Sequence, residues 1–173
     1  MVIRIATSKD ISFVAKLALL LWPDHTLKEL EDEFATIVQS QSAAVFLAFA
    51  GTDPAGFAQV QLRHDYVEGT SSSPVGYLEG LFVMDVHRQE GLARELVGRC
   101  EEWARLKGCA EFASDCELGN EVSRNVHLNL GFSEANRIIC FAKKLEERGI
   151  GSDDYEQDPR IADSVPGKLN GGK

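Results

Sequence analysis

The 173-residue sequence has no run of about 18 apolar residues, the length a helix needs to cross a bilayer. Its first residues, Met1-Val2-Ile3-Arg4-Ile5, lack the charged-then-apolar layout of a secretion signal. These two absences predict a soluble, cytoplasmic protein. No Cys-x-x-Cys pair occurs: Cys100, Cys109, Cys116 and Cys140 stand apart, with no clustered histidines to complete a metal site, so no metal is expected. The thiols are expected to be reduced and structural, Cys100 on a helix face and Cys140 inside a strand. Nor is there an excess of basic charge. Eighteen Lys and Arg face 27 Asp and Glu, a net charge of −9, which argues against nucleic acid and anionic membrane as partners. A polycation suits such a surface, although acidity also simply favours solubility. No internal repeat is found, and a 44% hydrophobic content supports a single domain with a sizeable core.

The apolar patterning predicts an α/β chain. A first strand at 2–6 leads into the capping residues Thr7-Ser8-Lys9-Asp10. Ile11, Val14, Ala15, Ala18 and Leu21 then recur at helical spacing until Trp22-Pro23 stops the helix. Thr26 and Glu29 form a capping box that opens a second helix, whose apolar stripe is Leu27, Leu30, Phe34 and Ile37. Strands are expected at 43–50 and 57–63, joined by a turn rich in Gly, Asp and Pro. A polar loop at 64–74, long enough to be functional, carries Asp65, Tyr66 and Glu68. An apolar strand at 75–83 is followed by a turn, a helix from about 91 to 107 and Gly108 as its left-handed stop. A strand at 109–115, a short helix at 122–130 ended by Gly131 and a final strand at 138–145 complete the order β-α-α-β-β-β-α-β-α-β. That order implies a mixed, mostly antiparallel sheet with helices on both faces. From Glu146 the periodicity vanishes and glycines, prolines and acids gather. Residues 1–145 are therefore read as the domain and 146–173 as a flexible acidic, Gly-rich tail. Without the tail, 20 acidic residues still face 14 basic ones, so the acidity belongs to the domain.

The stretch 79–93 carries the most chemistry. Strand, turn and helix start make an anion site, because first-turn N–H groups have no intrahelical acceptor and the helix dipole favours negative charge. Arg88-Gln89-Glu90-Gly91-Leu92-Ala93 occupies that turn, with small residues at Gly91 and Ala93 where a ligand must come close. An ordinary strand-to-helix connection would read the same. Glu79 is conspicuous as a carboxylate inside an apolar strand, a costly position unless the acid is paired or used. It either handles a ligand's proton or pairs with a nearby Arg or backbone group. Gly80 suits a bulge that opens the sheet, or close packing against a neighbour.

The pattern Arg-x-x-Gly-x-Ala at 88–93 resembles the acetyl-CoA pyrophosphate loop of the GNAT family of N-acetyltransferases. A second landmark, His127-Leu128-Asn129-Leu130-Gly131-Phe132, is similar to the family's Tyr-x-x-x-Gly-Phe and stands at the expected separation. Within that family the sequence most resembles the aminoglycoside 6′-N-acetyltransferases (type I), an antibiotic-resistance class. This closer match rests on Leu21-Trp22-Pro23, on 63–69, on 75–83 and on Ala113-Ser114-Asp115. The resemblance implies the GNAT acyl-CoA N-acyltransferase fold and a homodimer whose apolar final strand pairs across the interface.

It also implies a reaction: an uncharged primary amine attacks the thioester carbonyl of acetyl-CoA directly, in a ternary complex. The cofactor's phosphates would lie on the N–H groups of residues 89–93, its pantetheine arm along Leu81, Phe82 and Val83, and Asn120 would touch the arm. The Val83 N–H would receive the oxyanion. Glu79 and Asp115 would bind the cationic acceptor and take its proton, directly or through water, while Trp22 and Tyr66 would wall the sugar rings. His127 stands where relatives carry Tyr, so it either protonates the departing thiolate or is a structural, hydrogen-bonded histidine. No Cys or Ser sits on a sharp turn beside a base, so no acyl-enzyme is expected. Acceptors of another kind, such as a polyamine or a protein N-terminus, would use the same fold, and a non-catalytic acyl-CoA-binding domain would keep only the phosphate loop.

Overall fold

The computed structural model describes residues 1–145, so the tail expected at 146–173 lies outside the described residues. Met1–Arg137 forms one compact unit, and the described residues from Ile138 onward lie outside it. Within the first unit the order is β1 (Val2–Ile5), α1 (Ile11–Leu21), α2 (Leu27–Ile37), β2 (Ala43–Ala50), β3 (Asp53–Arg63), β4 (Val75–Val83), α3 (Leu92–Leu106), β5 (Phe112–Ser114) and α4 (Glu121–Leu130). The five strands form one sheet in sequence order, antiparallel except for the parallel β4–β5 pair.

Both faces of the sheet are covered, which explains why β2 reads as an unbroken apolar run. Its Ala44, Phe46 and Ala48 join Ala58, Val60 and Leu78 beneath Leu92, Leu96, Val97 and Cys100 of α3. The alternate residues Val45, Leu47 and Phe49 join Phe57 against Val14, Ala15, Ala18, Leu30 and Phe34 of α1 and α2. Local signals set the ends of the helices. The Glu29 carboxylate accepts the Thr26 N–H at 2.8 Å while the Thr26 hydroxyl oxygen accepts the Glu29 N–H at 3.3 Å. Gly108 adopts a φ of +86° after α3. Before α1, the buried Asp10 takes two bonds from the Arg4 guanidinium, at 2.7 and 2.8 Å, and one from the Thr7 N–H at 2.8 Å. That guanidinium holds the Asp10 carboxyl well below the usual carboxylate range.

The chain departs from the expected pattern near its end. Residues 138–145 form no strand: Ile138, Ile139, Phe141 and Leu145 are exposed, Phe141 at 93%, and Cys140 is an exposed thiol rather than a strand-buried one. An apolar segment becomes a strand only when another backbone pairs with it, and none among the described residues does. The strand expected at 109–115 is likewise shorter, because only Phe112, Ala113 and Ser114 have partners in β4.

Candidate active site

The site begins with a defect in the β3–β4 ladder. Gln59 pairs with Gly80 and Val60 with Leu78, so Glu79 is the extra residue of a bulge. A bulge bends the strand and re-aims its side chains, and here it coincides with the end of β5. β5 pairs with Gly76, Tyr77 and Leu78 only, so from Glu79 onward no strand among the described residues borders the outer edge of β4.

The ladder beyond the bulge fixes what that edge offers. The Met84 N–H donates to the Ala55 carbonyl at 2.9 Å, which makes Ala55 and Met84 a bonded pair. Because bonded and non-bonded pairs alternate in an antiparallel ladder, Val83, opposite Gly56, and Leu81, opposite Ala58, turn their N–H and C=O groups away from β3. The Val83 carbonyl confirms this orientation, since it accepts the Arg88 Nε–H at 3.2 Å. The edge therefore presents backbone donors and acceptors to whatever fills the gap.

After β4 a single 3-10 turn, Asp85–His87, leads to Arg88. Arg88 is tethered by Asp85 at 2.8 Å. Gln89 and Gly91 both lie in the left-handed region, at φ +63° and +82°. The first intrahelical bond of α3 is Glu95 N–H to Gly91 carbonyl, which leaves the N–H groups of Gly91, Leu92, Ala93 and Arg94 without intrahelical acceptors. Left-handed turns that point successive N–H groups outward make anion-binding concavities. The Arg94 guanidinium bonds the Asn129 carbonyl at 2.5 Å beside the same opening.

Edge and turn line one cleft of about 770 Å³, a size suited to a small molecule or cofactor. Every residue that the sequence nominated lines it except Tyr66 and Glu90. Tyr66 is 81% exposed on the 64–74 loop and donates to Glu68 at 2.5 Å. Trp22 packs its indole against the Cα of Gly80, where an added Cβ would come within 2.8 Å of two ring carbons. It also meets Phe57 edge-on, with ring centroids 6.1 Å apart. Gly80 thus serves both the bulge and the close approach.

Glu79 is paired. Arg63 grips its carboxylate through Nε at 3.1 Å and Nη2 at 3.0 and 2.9 Å. The same guanidinium lies 3.3 Å from the centroid of the Tyr77 ring. The Tyr77 hydroxyl donates to Asp115, and burial together with that carboxylate pushes the phenol's pKa up. Asn120 caps α4, its Oδ1 accepting the Ser123 N–H at 3.0 Å. His127 is fully engaged: Nδ1 lies 2.8 Å from the Ser123 carbonyl and Nε2 lies 2.9 Å from the Ser114 hydroxyl, which is 3.0 Å from the Leu78 carbonyl. Arg63, Tyr77, Arg94 and Ser114 were not nominated from the sequence. A carboxylate in an apolar strand called for a partner such as an Arg, but nothing local said that Arg63 would be the one.

A mixed sheet that parts along its fourth strand, above an anion-receiving helix start, is the architecture of the acyl-CoA N-acyltransferase fold. Residues 13–132 match the acetyltransferase (GNAT) family, and the chain belongs to that family. It is similar to an aminoglycoside N(6')-acetyltransferase type 1 of Salmonella typhimurium, 42% identical over 124 residues that span 72% of this chain and 86% of that protein. A protein of the same name from Stenotrophomonas maltophilia is 42% identical over 147 residues, 83% of this chain and 94% of the relative. Among solved structures, AAC(6')-Iy in complex with the bisubstrate analog CoA-S-monomethyl-acetylneamine superposes with a TM-score of 0.80 at 38% identity, covering 83% of this chain and 98% of that one.

Proposed function

We propose that this chain transfers the acetyl group of acetyl-CoA to the 6′-amino group of aminoglycosides, by direct attack in a ternary complex, and so confers resistance. One observation carries the reading. The unpaired edge of β4 runs from an acidic pair, Glu79 and Asp115, to an anion-receiving turn, all along one cleft, in a chain about 40% identical to proteins of that name.

The bound cofactor supplies an activated thioester. The chain's part is to hold and orient. The N–H groups of residues 89–93 receive the phosphates, with Arg88 and Glu90 shaping the turn. Leu81, Phe82 and Val83 present the edge to the pantetheine arm in the manner of an added strand, and Asn120 borders it. The Val83 N–H, turned away from β3, stabilises the oxyanion. Glu79 and Asp115 bind the ammonium and take its proton, directly or through water, and Trp22 walls the acceptor; Tyr66, outside the cleft on the 64–74 loop, would join that wall only if the loop moves toward it. His127 would protonate the departing thiolate only by releasing the Nε2 contact with Ser114; with both ring nitrogens engaged it otherwise serves as a structural wall of the cleft. The reaction takes place in the cytoplasm, where acetyl-CoA is made.

We further infer a homodimer in which residues 138–145 cover their exposed Ile138, Ile139 and Phe141 against a second copy. Ile139→Lys combined with Phe141→Lys should then halve the mass seen by light scattering. Residues 1–145 are taken as the domain that suffices for turnover.

The deciding experiment is thiol release from acetyl-CoA with aminoglycosides bearing either an amino or a hydroxyl group at the 6′ position. Turnover confined to the amino members supports the reading. Equal turnover of both, or none, refutes it, as does unchanged turnover after both Glu79→Gln and Asp115→Asn.

A further inference from the structure

The two acids assigned to the acceptor reach the cleft in different ways, and neither is held by the element that carries it. Asp115 lies just past the end of β5, exposed to solvent, and its hydrogen bond in the structure comes from Tyr77 of β4. Glu79 sits on the bulge, its side chain 22% exposed, and its partner is Arg63, sixteen residues earlier at the end of β3. Tyr77 touches both arrangements. Its hydroxyl reaches Asp115, and one face of its ring lies under the guanidinium that grips Glu79. The ring itself is fixed, since Tyr77 is 6% exposed and packs with Val67, Val75 and Ala113.

We propose that Tyr77 is the positioning residue of the acceptor site: its hydroxyl fixes Asp115 and its ring face, through Arg63, fixes Glu79, so that both carboxylates are presented as one unit. The inference rests on the acetyltransferase reading above. A carboxylate has about four lone-pair sites. The phenol occupies one on Asp115 and leaves the second oxygen for a cation. Arg63 offsets one of the two negative charges, and the cluster of Arg63, Glu79 and Asp115 keeps a single uncompensated charge. That balance suits one ammonium group and avoids the repulsion of two unpaired acids. A buried ring loses little entropy on binding, whereas an exposed strand-end Asp must be ordered at each encounter. The phenol acts only as a donor here, because its raised pKa keeps the proton in place at neutral pH.

The test is a set of acceptor kinetics on the full chain, with kanamycin as probe and acetyl-CoA varied separately. Tyr77→Phe removes the hydroxyl and keeps the ring. It should raise KM for kanamycin about tenfold, the cost of one hydrogen bond to a charged group, and leave KM for acetyl-CoA unchanged. Asp115→Asn should do the same, and Tyr77→Phe with Asp115→Asn should be no worse than either alone, since the hydroxyl works through Asp115. Tyr77→Phe with Glu79→Gln should instead multiply. Arg63→Lys keeps the charge and loses the flat, forked contact, so it probes the ring face without altering Tyr77. It should raise KM for kanamycin several-fold, with no further rise on adding Glu79→Gln.

An unchanged kanamycin KM in Tyr77→Phe, while Asp115→Asn raises it, overturns the proposal and leaves the acceptor assignment standing. Equal rises in KM for both substrates, or multiplicative effects of Tyr77→Phe and Asp115→Asn, also overturn it, because they describe a general loss of structure. If Asp115→Asn and Glu79→Gln leave kanamycin kinetics unchanged, the acceptor assignment itself fails. Should Tyr77→Phe not fold, an unchanged KM in Arg63→Lys refutes the ring-face arm on its own.

Discussion

Replacing Gly80 with alanine puts the geometry of the cleft to a direct test. The new Cβ would lie 2.8 Å from Cη2 and Cζ2 of Trp22 and 3.5 Å from Leu21. Carbon atoms rest at about 3.5–4.0 Å, so the indole has to retreat by roughly 1 Å or the bulge has to flatten. Retreat toward the core is blocked, because Trp22 already meets Phe57 edge-on. Overpacking of this kind costs about 1–3 kcal/mol, which for a domain of this size lowers Tm by roughly 3–10 °C. The ring's remaining path is into the cleft it lines, which narrows the acceptor side and should raise the aminoglycoside KM about tenfold, the equivalent of about 1.4 kcal/mol. KM for acetyl-CoA should stay within about twofold, since the phosphate turn is untouched.

Gly76→Ala is the matched control. Its Cβ would meet Ala104 at 2.6 Å and Phe112 at 2.7 Å, a clash with α3 and β5, and Gly76 does not line the cleft. It should lose stability and keep its acceptor KM. Differential scanning fluorimetry and steady-state kinetics on the two variants check the argument. An unchanged Tm and KM in Gly80→Ala would refute the contact, and an equal KM rise in Gly76→Ala would refute its link to the cleft.

The left-handed Gln89 makes a second prediction: Gln89→Val should raise the acetyl-CoA KM and cost about 1–2 kcal/mol, whereas Gln89→Gly should be tolerated. Both effects are read from thiol release and thermal melts. Asp10 makes a pH-dependent one. Arg4 depresses its folded-state pKa, so its contribution is complete above the ordinary carboxylate pKa of about 4 and is lost as pH falls below that value. Asp10→Asn should therefore be less stable than the parent by about 1–3 kcal/mol at pH 7, and urea titrations should show the gap narrowing steadily as pH falls below about 4. A gap that stays constant with pH would refute the ion-pair account. Finally, Thr26→Ala should cost about 1 kcal/mol through loss of one half of the capping box, measurable by urea titration at neutral pH.

By itself the sequence determined what is decided within a few residues. Thr26 and Glu29 satisfy each other's backbone across one turn, Gly108 and Gly91 supply positive φ, and the apolar period sets which face of each strand and helix is buried. The turn at 88–93, proposed above to receive the phosphates, belongs to this group, because the donors it offers are backbone N–H groups of contiguous residues. Relations between distant residues were decided only by the tertiary structure. The unpaired edge of β4 exists because β5 stops after three residues, and the single extra residue at Glu79 determines which way that strand's carboxylate faces. Arg63 meets Glu79 from sixteen residues away and Tyr77 meets Asp115 from thirty-eight, contacts fixed by register and not by local pattern. The same reason accounts for the missing strand at 138–145. An apolar alternation states what a segment prefers to bury, while a strand requires a second backbone whose free N–H and C=O groups stand opposite its own.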